Sequence, residues 1–167
     1  MPSDLHKAIS LGQIEQVEML LNSNVNVEER DRCGRTALNL STSLAKESAA
    51  GYQRDITELL LKHKADANVR DKAGQTPLHY AATNGQEGIV RCLIGAHAEI
   101  NPRSANGSSP LYLACINGHV NCVHELLKAG ANVDERTERG FTPLHSVIKR
   151  ARASEPNRPE YGRIAAE

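Results

Sequence analysis

The chain has 167 residues and carries 20 basic and 20 acidic side chains, so its formal net charge is zero. This balance excludes a generally basic nucleic-acid-binding protein and a protein drawn to acidic membrane surfaces. Aromatic residues make up 3% of the chain, with one Phe and no Trp, which is poor material for a single large core. The composition therefore favours thin stacked layers of small side chains.

The four cysteines, Cys33, Cys92, Cys115 and Cys122, form no CxxC pair and are too sparse for the disulfide framework of a small secreted domain. There is no apolar run of about 18 residues, the length that a membrane span needs, and the first ten residues do not have the blocks of a signal peptide. We therefore expect a cytoplasmic or nuclear protein in a reducing compartment, without membrane or nucleic-acid partners.

Internal repetition is the strongest pattern. Gly34, Gly74, Gly107 and Gly140 are separated by 40, 33 and 33 residues, and similar text follows each: GRTALNL, GQTPLHY, GSSPLYL and GFTPLHS. A second column of paired aliphatic residues lies further along, at Leu20-Leu21, Leu60-Leu61, Leu93-Ile94 and Leu126-Leu127. The N-terminal segment shares this second column, so it is a repeat that lacks only its opening turn.

Each repeat predicts two short helices. A Thr or Ser that caps a helix precedes a proline, which costs nothing at the first helical position, at Thr76-Pro77, Ser109-Pro110 and Thr142-Pro143. Gly85 and Gly118 are expected to end this first helix. The second helix follows with apolar residues on one face. Polar segments that contain glycine, such as KADANVRDKAGQ, then predict a hairpin-like turn into the next unit.

The 33-residue period and the TPLHYAA motif resemble the ankyrin repeat over nearly the whole chain. We divide the chain into units 1 to 5, at about 3–31, 32–71, 72–104, 105–137 and, incomplete, 138–167. The resemblance implies an all-α solenoid of helix-turn-helix units linked by β-hairpin-like turns. It also implies a monomeric, non-catalytic protein-binding module that needs no cofactor.

Several residues depart from the family motif. Ala37 and Asn39 replace its Pro and His in unit 2, and Tyr112 replaces the His in unit 4, so weaker local hydrogen bonding is expected at both places. The family Asn that follows the paired aliphatics is present as Asn68 and Asn101, whereas Glu28 stands there in unit 1. Asp134 stands there in unit 4.

A catalytic or metal site has few candidates. Cys115, His119, Cys122 and His124 lie close together in sequence, but they match no recognised zinc spacing. In the repeat register Cys115 aligns with Ala82 and Cys122 with Ile89, so we expect both cysteines in the core. For His79 and His145, the resemblance implies a hydrogen bond to the adjacent turn, and we therefore predict neither acid–base catalysis nor a metal site.

Two insertions interrupt the period. Unit 2 has seven extra residues between its helices, near 45–51, and unit 5 has about ten more, near 150–160. The second segment, KRARASEPNRPEYGR, is interpreted as a solvated loop. Insertions in a solenoid map to loops on one side. They could be binding projections or tolerated loop growth, which costs little entropy.

The predicted function is an adaptor, scaffold or inhibitor that binds another protein. The contact residues are expected on the hairpin tips, the inner helices and the insertions: Arg32, Arg35, Lys72, Gln75, Asn106 and Ser108; Tyr80 and Tyr112; Tyr52, Lys149, Arg150 and Arg152. Residues 20–40 also resemble the start of the ankyrin-type cyclin-dependent kinase inhibitors, although those proteins shorten the second unit. The alternative is a regulatory or substrate-recognition domain of a larger enzyme, in a kinase or ubiquitin ligase assembly, that is cut off after residue 167.

Overall fold

The structure, a computed structural model, describes residues 3–44 and 51–153. All regular structure in these two ranges is helical, as predicted. The helices are α1 (Asp4–Ser10), α2 (Ile14–Asn22), α3 (Ala37–Ser43), α4 (Tyr52–Lys62), α5 (Pro77–Asn84), α6 (Glu87–Gly95), α7 (Pro110–Asn117), α8 (Val120–Lys128) and α9 (Pro143–Ala153). None of these helices is long and apolar enough to cross a membrane.

The helices form two rows. Each odd-numbered helix from α1 to α9 packs on the next odd-numbered helix, and each even-numbered helix from α2 to α8 packs on the next even-numbered one. Within units 1 to 4 the first helix also packs against the second. We call the odd-numbered row the inner helices and the even-numbered row the outer helices. Among the described helices, the principal contacts between units thus join neighbours, which is the organisation of a solenoid.

The helix ends follow the local sequence. Thr76 and Ser109 cap α5 and α7, and Gly85 (φ 67°) and Gly118 (φ 73°) end them in the left-handed conformation that glycine favours. Helix α3 has no such glycine. It ends at Leu44, whose backbone is extended (ψ 131°), so the chain leaves the helix into the insertion without making the tight turn of units 3 and 4.

The core lies between the two rows of helices. Ala81, Ala82 and Ala114 on the inner helices are fully buried, and their small side chains let adjacent helices approach closely. The first residue of each aliphatic pair in units 2 to 4, at Leu60, Leu93 and Leu126, is also fully buried. The aliphatic column that the sequence predicts is therefore the continuous core of the stack.

Hairpins join the units along one edge of the inner helices. Inside each hairpin a backbone N–H donates across the turn, as from Asp71 to the carbonyl of Gln75 at 3.0 Å. Neighbouring tips are joined in the same way, by bonds from Lys72 to Cys33 (3.1 Å), Ala105 to Ala73 (2.9 Å) and Glu138 to Asn106 (3.2 Å). The tips therefore form a hydrogen-bonded row.

One prediction about the second insertion is wrong. Lys149, Arg150 and Arg152 lie on α9, which continues to Ala153, and do not lie in a loop. Ala151 occupies the position at which Gly118 ends α7, and alanine favours continuation of a helix. The rest of that predicted insertion, and residues 45–50 of the first, lie outside the described residues.

The packing of the inner helices can be tested at Ala81. Replacement by Leu should cost on the order of 1–3 kcal/mol of unfolding free energy, because the added side chain must enter a fully packed helix interface. Urea unfolding followed by circular dichroism measures the change. Ala73→Leu, on an exposed hairpin tip, is the matched control and should leave the midpoint nearly unchanged. Equal midpoints for both variants would contradict the assigned register.

Candidate functional site

The hairpin tips and the inner helices together line two grooves. The C-terminal groove, between units 4 and 5, has a volume of about 780 Å³. Its principal walls are Asn106, Tyr112, Leu113, Ile116, Glu138, Arg139, Phe141, His145, Ile148 and Lys149. The N-terminal groove, between units 1 and 2, has a volume of about 530 Å³ and is lined by His6, Lys7, Leu11, Arg32, Cys33, Arg35 and Leu40, among others.

A repeated hydrogen bond joins the inner helices to the hairpins. The third residue of an inner helix reaches the carbonyl that follows the repeat glycine of the next unit. His6 Nε2 lies 3.1 Å from the carbonyl oxygen of Arg35, and His79 Nε2 lies 3.0 Å from that of Ser108. Each bond fixes one hairpin against the preceding unit, as the family resemblance implied for His79.

The bonding at Asn39 corrects the prediction for unit 2. Its Oδ1 accepts a hydrogen bond from the Thr36 N–H at 3.1 Å, and its Nδ2 donates to the carbonyl oxygens of Val69 at 3.2 Å and Gln75 at 3.4 Å. The amide therefore replaces both nitrogens of an imidazole, one as acceptor and one as donor. Asn39 is fully buried and its hydrogen bonding is complete, so the expected weakening at this position is wrong.

The expected weakening does occur at Tyr112. This residue has the same place in α7 that His79 has in α5, but its side chain forms no hydrogen bond with any described residue. Its backbone N–H donates to Ser109 Oγ at 3.3 Å. The phenol is half-exposed and stands in the wall of the C-terminal groove. The groove thus coincides with the junction at which the repeated bond is absent.

His79 is held as the neutral imidazole. Its Nδ1 accepts from the Thr76 N–H at 3.0 Å, so Nε2 carries the proton that is donated to Ser108. Burial lowers the pKa of His79 to about 4. Because the unfolded side chain titrates near 6.5, acid should protonate the unfolded chain first and reduce stability between pH 6.5 and 4.

We expect His79→Asn to remove this part of the acid sensitivity, since Asn39 makes the equivalent bonds without titrating. The wild-type unfolding free energy should fall by up to roughly 3 kcal/mol more than that of the variant as pH falls from 6.5 to 4. Urea titrations at several pH values measure the difference. Parallel stability profiles for the two proteins would show that His79 is not responsible.

The predicted tip residues differ in how accessible they are. Arg32 and Lys72 are exposed, while Arg35 is half-buried and paired with Asp31 (Nη2 to Oδ2, 2.8 Å). Asn106 is exposed on its tip, and its Oδ1 accepts from the N–H of Ser108 at 3.1 Å. The paired and bonded residues have less freedom to meet another molecule than Arg32 and Lys72.

Three other predicted residues are held by neighbours. Ser108 is only 3% exposed, so its side chain does not lie on the tip surface. Its carbonyl oxygen accepts the hydrogen bond from His79 Nε2. Gln75 is half-buried in the same position of the preceding hairpin, and its carbonyl accepts from Asn39. Tyr80 donates its hydroxyl to Asp71 Oδ2, and burial together with this bond raises the pKa of the phenol.

The residues assigned to the insertions also lie apart. Tyr52 packs over Gly12 in unit 1, where an added Cβ would stand 2.8 Å from its ring. Arg150 packs over Gly118 and donates to the Ile116 carbonyl at 3.4 Å, whereas Lys149 lines the C-terminal groove. The side chain of Arg152 lies outside the described part. The structure therefore brings Asn106, Tyr112 and Lys149 together and leaves the Tyr52 side chain elsewhere.

A row of arginines on successive hairpins was not predicted from the sequence. Arg30, Arg70 and Arg103 each donate to the carbonyl oxygen of the next arginine in the row, at 2.7, 2.6 and 2.7 Å, and Arg136 ends it. Each stands four residues before a repeat glycine, a spacing that could have revealed the row. These guanidinium groups tie hairpin to hairpin, so their main role is structural.

A second row of polar side chains joins the outer edges of the hairpins. Asn68 Oδ1 accepts from the Glu99 N–H at 2.7 Å, and Asn101 Oδ1 accepts from the Asn132 N–H at 2.8 Å. Glu28, which departs from the motif, makes the same bond through Oε1 to the Asp66 N–H at 2.8 Å. A carboxylate can therefore replace the amide at this position, because only a hydrogen-bond acceptor is needed.

The four residues that suggested zinc have other roles. Cys115 and Cys122 are buried, as their register predicted, and burial raises the pKa of the Cys115 thiol. The His119 ring covers Gly85 and lies 2.9 Å from the Thr83 carbonyl oxygen, while His124 is exposed. Residues 3–44 and 51–153 bring no three His, Cys, Asp or Glu side chains into a metal-binding group.

Comparison with known proteins identifies the repeats. A family model for three copies of the ankyrin repeat matches residues 5–104 and, again, residues 86–154. The chain belongs to the ankyrin repeat family. Ankyrin repeats generally mediate protein–protein interaction and are typically non-catalytic modules. A role in protein–protein interaction agrees with the two grooves that lie between the hairpin tips and the inner helices.

Similar proteins come from distant organisms. An ankyrin repeat-containing protein of Schizosaccharomyces pombe is 33% identical over 90 residues, which cover 53% of this chain and 37% of that protein. Human neurogenic locus notch homolog protein 1 is 42% identical over 67 residues, covering 40% of this chain and 2% of that protein. This ankyrin repeat chain thus spans only a minor part of the length of these relatives.

Proposed function

We propose that this ankyrin repeat protein is a non-catalytic adaptor, scaffold or inhibitor that binds another protein through the face formed by its hairpin tips and inner helices. The observation that carries the proposal is the C-terminal groove, with its volume of about 780 Å³ between tips and inner helices. Volumes of this size are typical of ligand sites in proteins. In this groove the half-exposed Tyr112 and the 45% exposed Phe141 present aromatic surface, which is enriched in protein interfaces.

The hairpin row supports the same proposal. Backbone hydrogen bonds join each hairpin tip to the next, and the row of arginines adds side-chain bonds between the hairpins. We therefore expect this surface to be rigid before a partner binds. A rigid surface loses little conformational entropy on binding. Arg32 and Lys72 are the exposed cations of the tips in units 2 and 3, where they would mainly influence the association rate.

A regulatory or substrate-recognition domain of a larger enzyme, in a kinase or ubiquitin ligase assembly, is the competing proposal. It would use the same face of hairpin tips and inner helices, because that face carries both grooves. Tests of the groove therefore apply to both proposals. The two differ in whether the captured complex has enzymatic activity.

Phe141→Glu should reduce partner capture, because it places a charge on an aromatic wall of the C-terminal groove. Phe141 is 45% exposed, so the fold should tolerate the change. The matched control is Val120→Glu, on the outer helix α8 of unit 4, where the parent side chain is 75% exposed. Quantitative affinity capture from cell extract compares both variants with the parent protein. Equal capture by all three would contradict recognition through this groove.

The insertion of unit 2 can be tested by shortening it. Removal of residues 45–50 together with Tyr52 joins Leu44 to Gly51, so that Gly51 takes the left-handed position that Gly85 has in unit 3. Folding should survive, because the buried Ile56 and Leu60 keep their register. If the insertion is a binding projection, capture should fall by several-fold. Unchanged capture by a folded variant would identify the insertion as tolerated loop growth.

A further inference from the structure

The walls of the C-terminal groove are mainly apolar. Leu113 and Ile116 from α7, Ile148 from α9 and Phe141 from the tip of unit 5 surround the cavity together with Tyr112. Ile148 and Phe141 are each 45% exposed, so their surface is available to a bound molecule. Burial of a bulky apolar side chain in such a groove removes apolar surface from water, which is favourable. The walls therefore favour an apolar anchor.

The polar groups of the same groove are mostly donors. Arg139 and Lys149 are exposed and form no ion pair or hydrogen bond with a described residue. The Tyr112 hydroxyl is likewise unbonded within the described ranges. His145 Nδ1 lies 2.7 Å from Thr142 Oγ1, in hydrogen-bonding contact, and His145 Nε2 makes no hydrogen bond with a described residue. Arg139, Lys149, the Tyr112 hydroxyl and the second nitrogen of His145 thus remain available to an acceptor.

One acidic side chain also lines the groove. Glu138 lies on the tip of unit 5 beside Arg139, and its side chain makes no hydrogen bond or ion pair in the described part of the chain. Among the described residues, the charged groups without a partner at this groove are therefore two cations and one anion. An acidic ligand gains from the excess of positive charge, whereas a basic ligand could pair with Glu138 alone.

Building on the proposed function, we propose that the C-terminal groove binds a linear peptide segment in which a bulky apolar residue stands next to acidic residues. The apolar side chain lies between α7, α9 and the tip of unit 5. The acidic residues pair with Arg139 on the tip and Lys149 on α9. The Tyr112 hydroxyl does not make the bond that His79 makes in unit 3 to any described residue, and it donates to the peptide.

Selection of random dodecapeptides displayed on phage against the full chain tests this partner class. The most enriched peptides are then synthesised with a fluorescein label, and their affinities are measured by fluorescence polarisation. We expect sequences with a bulky apolar residue and net negative charge. Replacing their acidic residues by Asn and Gln should weaken binding at least tenfold, as should the protein variant Arg139→Glu/Lys149→Glu.

The Lys62→Glu variant is the matched control, because Lys62 is an exposed cation on the outer helix α4 and lines neither groove. It should bind the peptides with parental affinity. Binding should also weaken as salt rises from 50 to 500 mM, because exposed charge pairs are screened. Circular dichroism checks that each variant is folded.

The outcomes separate this inference from the proposed function. Enriched peptides that are neutral or basic, yet lose affinity in Phe141→Glu, would overturn the acidic partner class and leave the groove as a binding site. Peptides whose affinity is insensitive to Phe141→Glu and to Arg139→Glu/Lys149→Glu would overturn both. Recovery of no binding peptide, or self-association of the chain through this groove, would overturn recognition of a linear acidic segment.

Discussion

The hydrogen bond between an inner helix and the next hairpin is the contact on which the face of hairpin tips and inner helices depends. At the third position of an inner helix, one side chain must accept from the N-terminal cap of its own helix and donate to a carbonyl of the following unit. His79 does both with two ring nitrogens, and Asn39 does both with one amide. Because the group is buried, an unmade bond would leave a polar atom without water or a partner.

This requirement explains how structure and proposed recognition are connected. Where the bond is made, at units 1, 2 and 3, the hairpin is drawn onto the inner helix of the preceding unit. Tyr112 has one hydroxyl at the end of a long ring and cannot serve as acceptor and donor at the positions of two imidazole nitrogens. The larger groove lies at this junction. A departure from the repeat motif thus provides the principal candidate binding site.

The stack tolerates other departures because each contact has a narrow chemical requirement. Glu28 succeeds in place of the usual Asn, since only an acceptor is required there. The insertion of unit 2 begins where α3 ends at Leu44 without a left-handed glycine. Side chains of unit 3 complete that helix end, as Asn84 donates to the Thr42 carbonyl at 3.0 Å and Gln86 to that of Leu44 at 3.1 Å. Neighbouring units therefore supply the bonds that a helix end loses.

Sequence alone determined the repeat period, the helix pairs, the capping residues and the buried aliphatic column. These features depend on local rules: proline at a helix start, glycine after its end, and apolar residues at helical spacing. The burial of Cys115 and Cys122 was predictable for the same reason, because their register assigned them to core positions.

Only the tertiary structure decided which surface residues are available. Ser108 and Asn106 belong to one tip, yet the Ser108 side chain is buried while Asn106 is exposed. The complete hydrogen bonding of Asn39 was also not predicted. Each depends on atoms contributed by another unit or on the direction of a side chain relative to it. A pattern read along one chain contains the residue types at such a contact but not the distances between them.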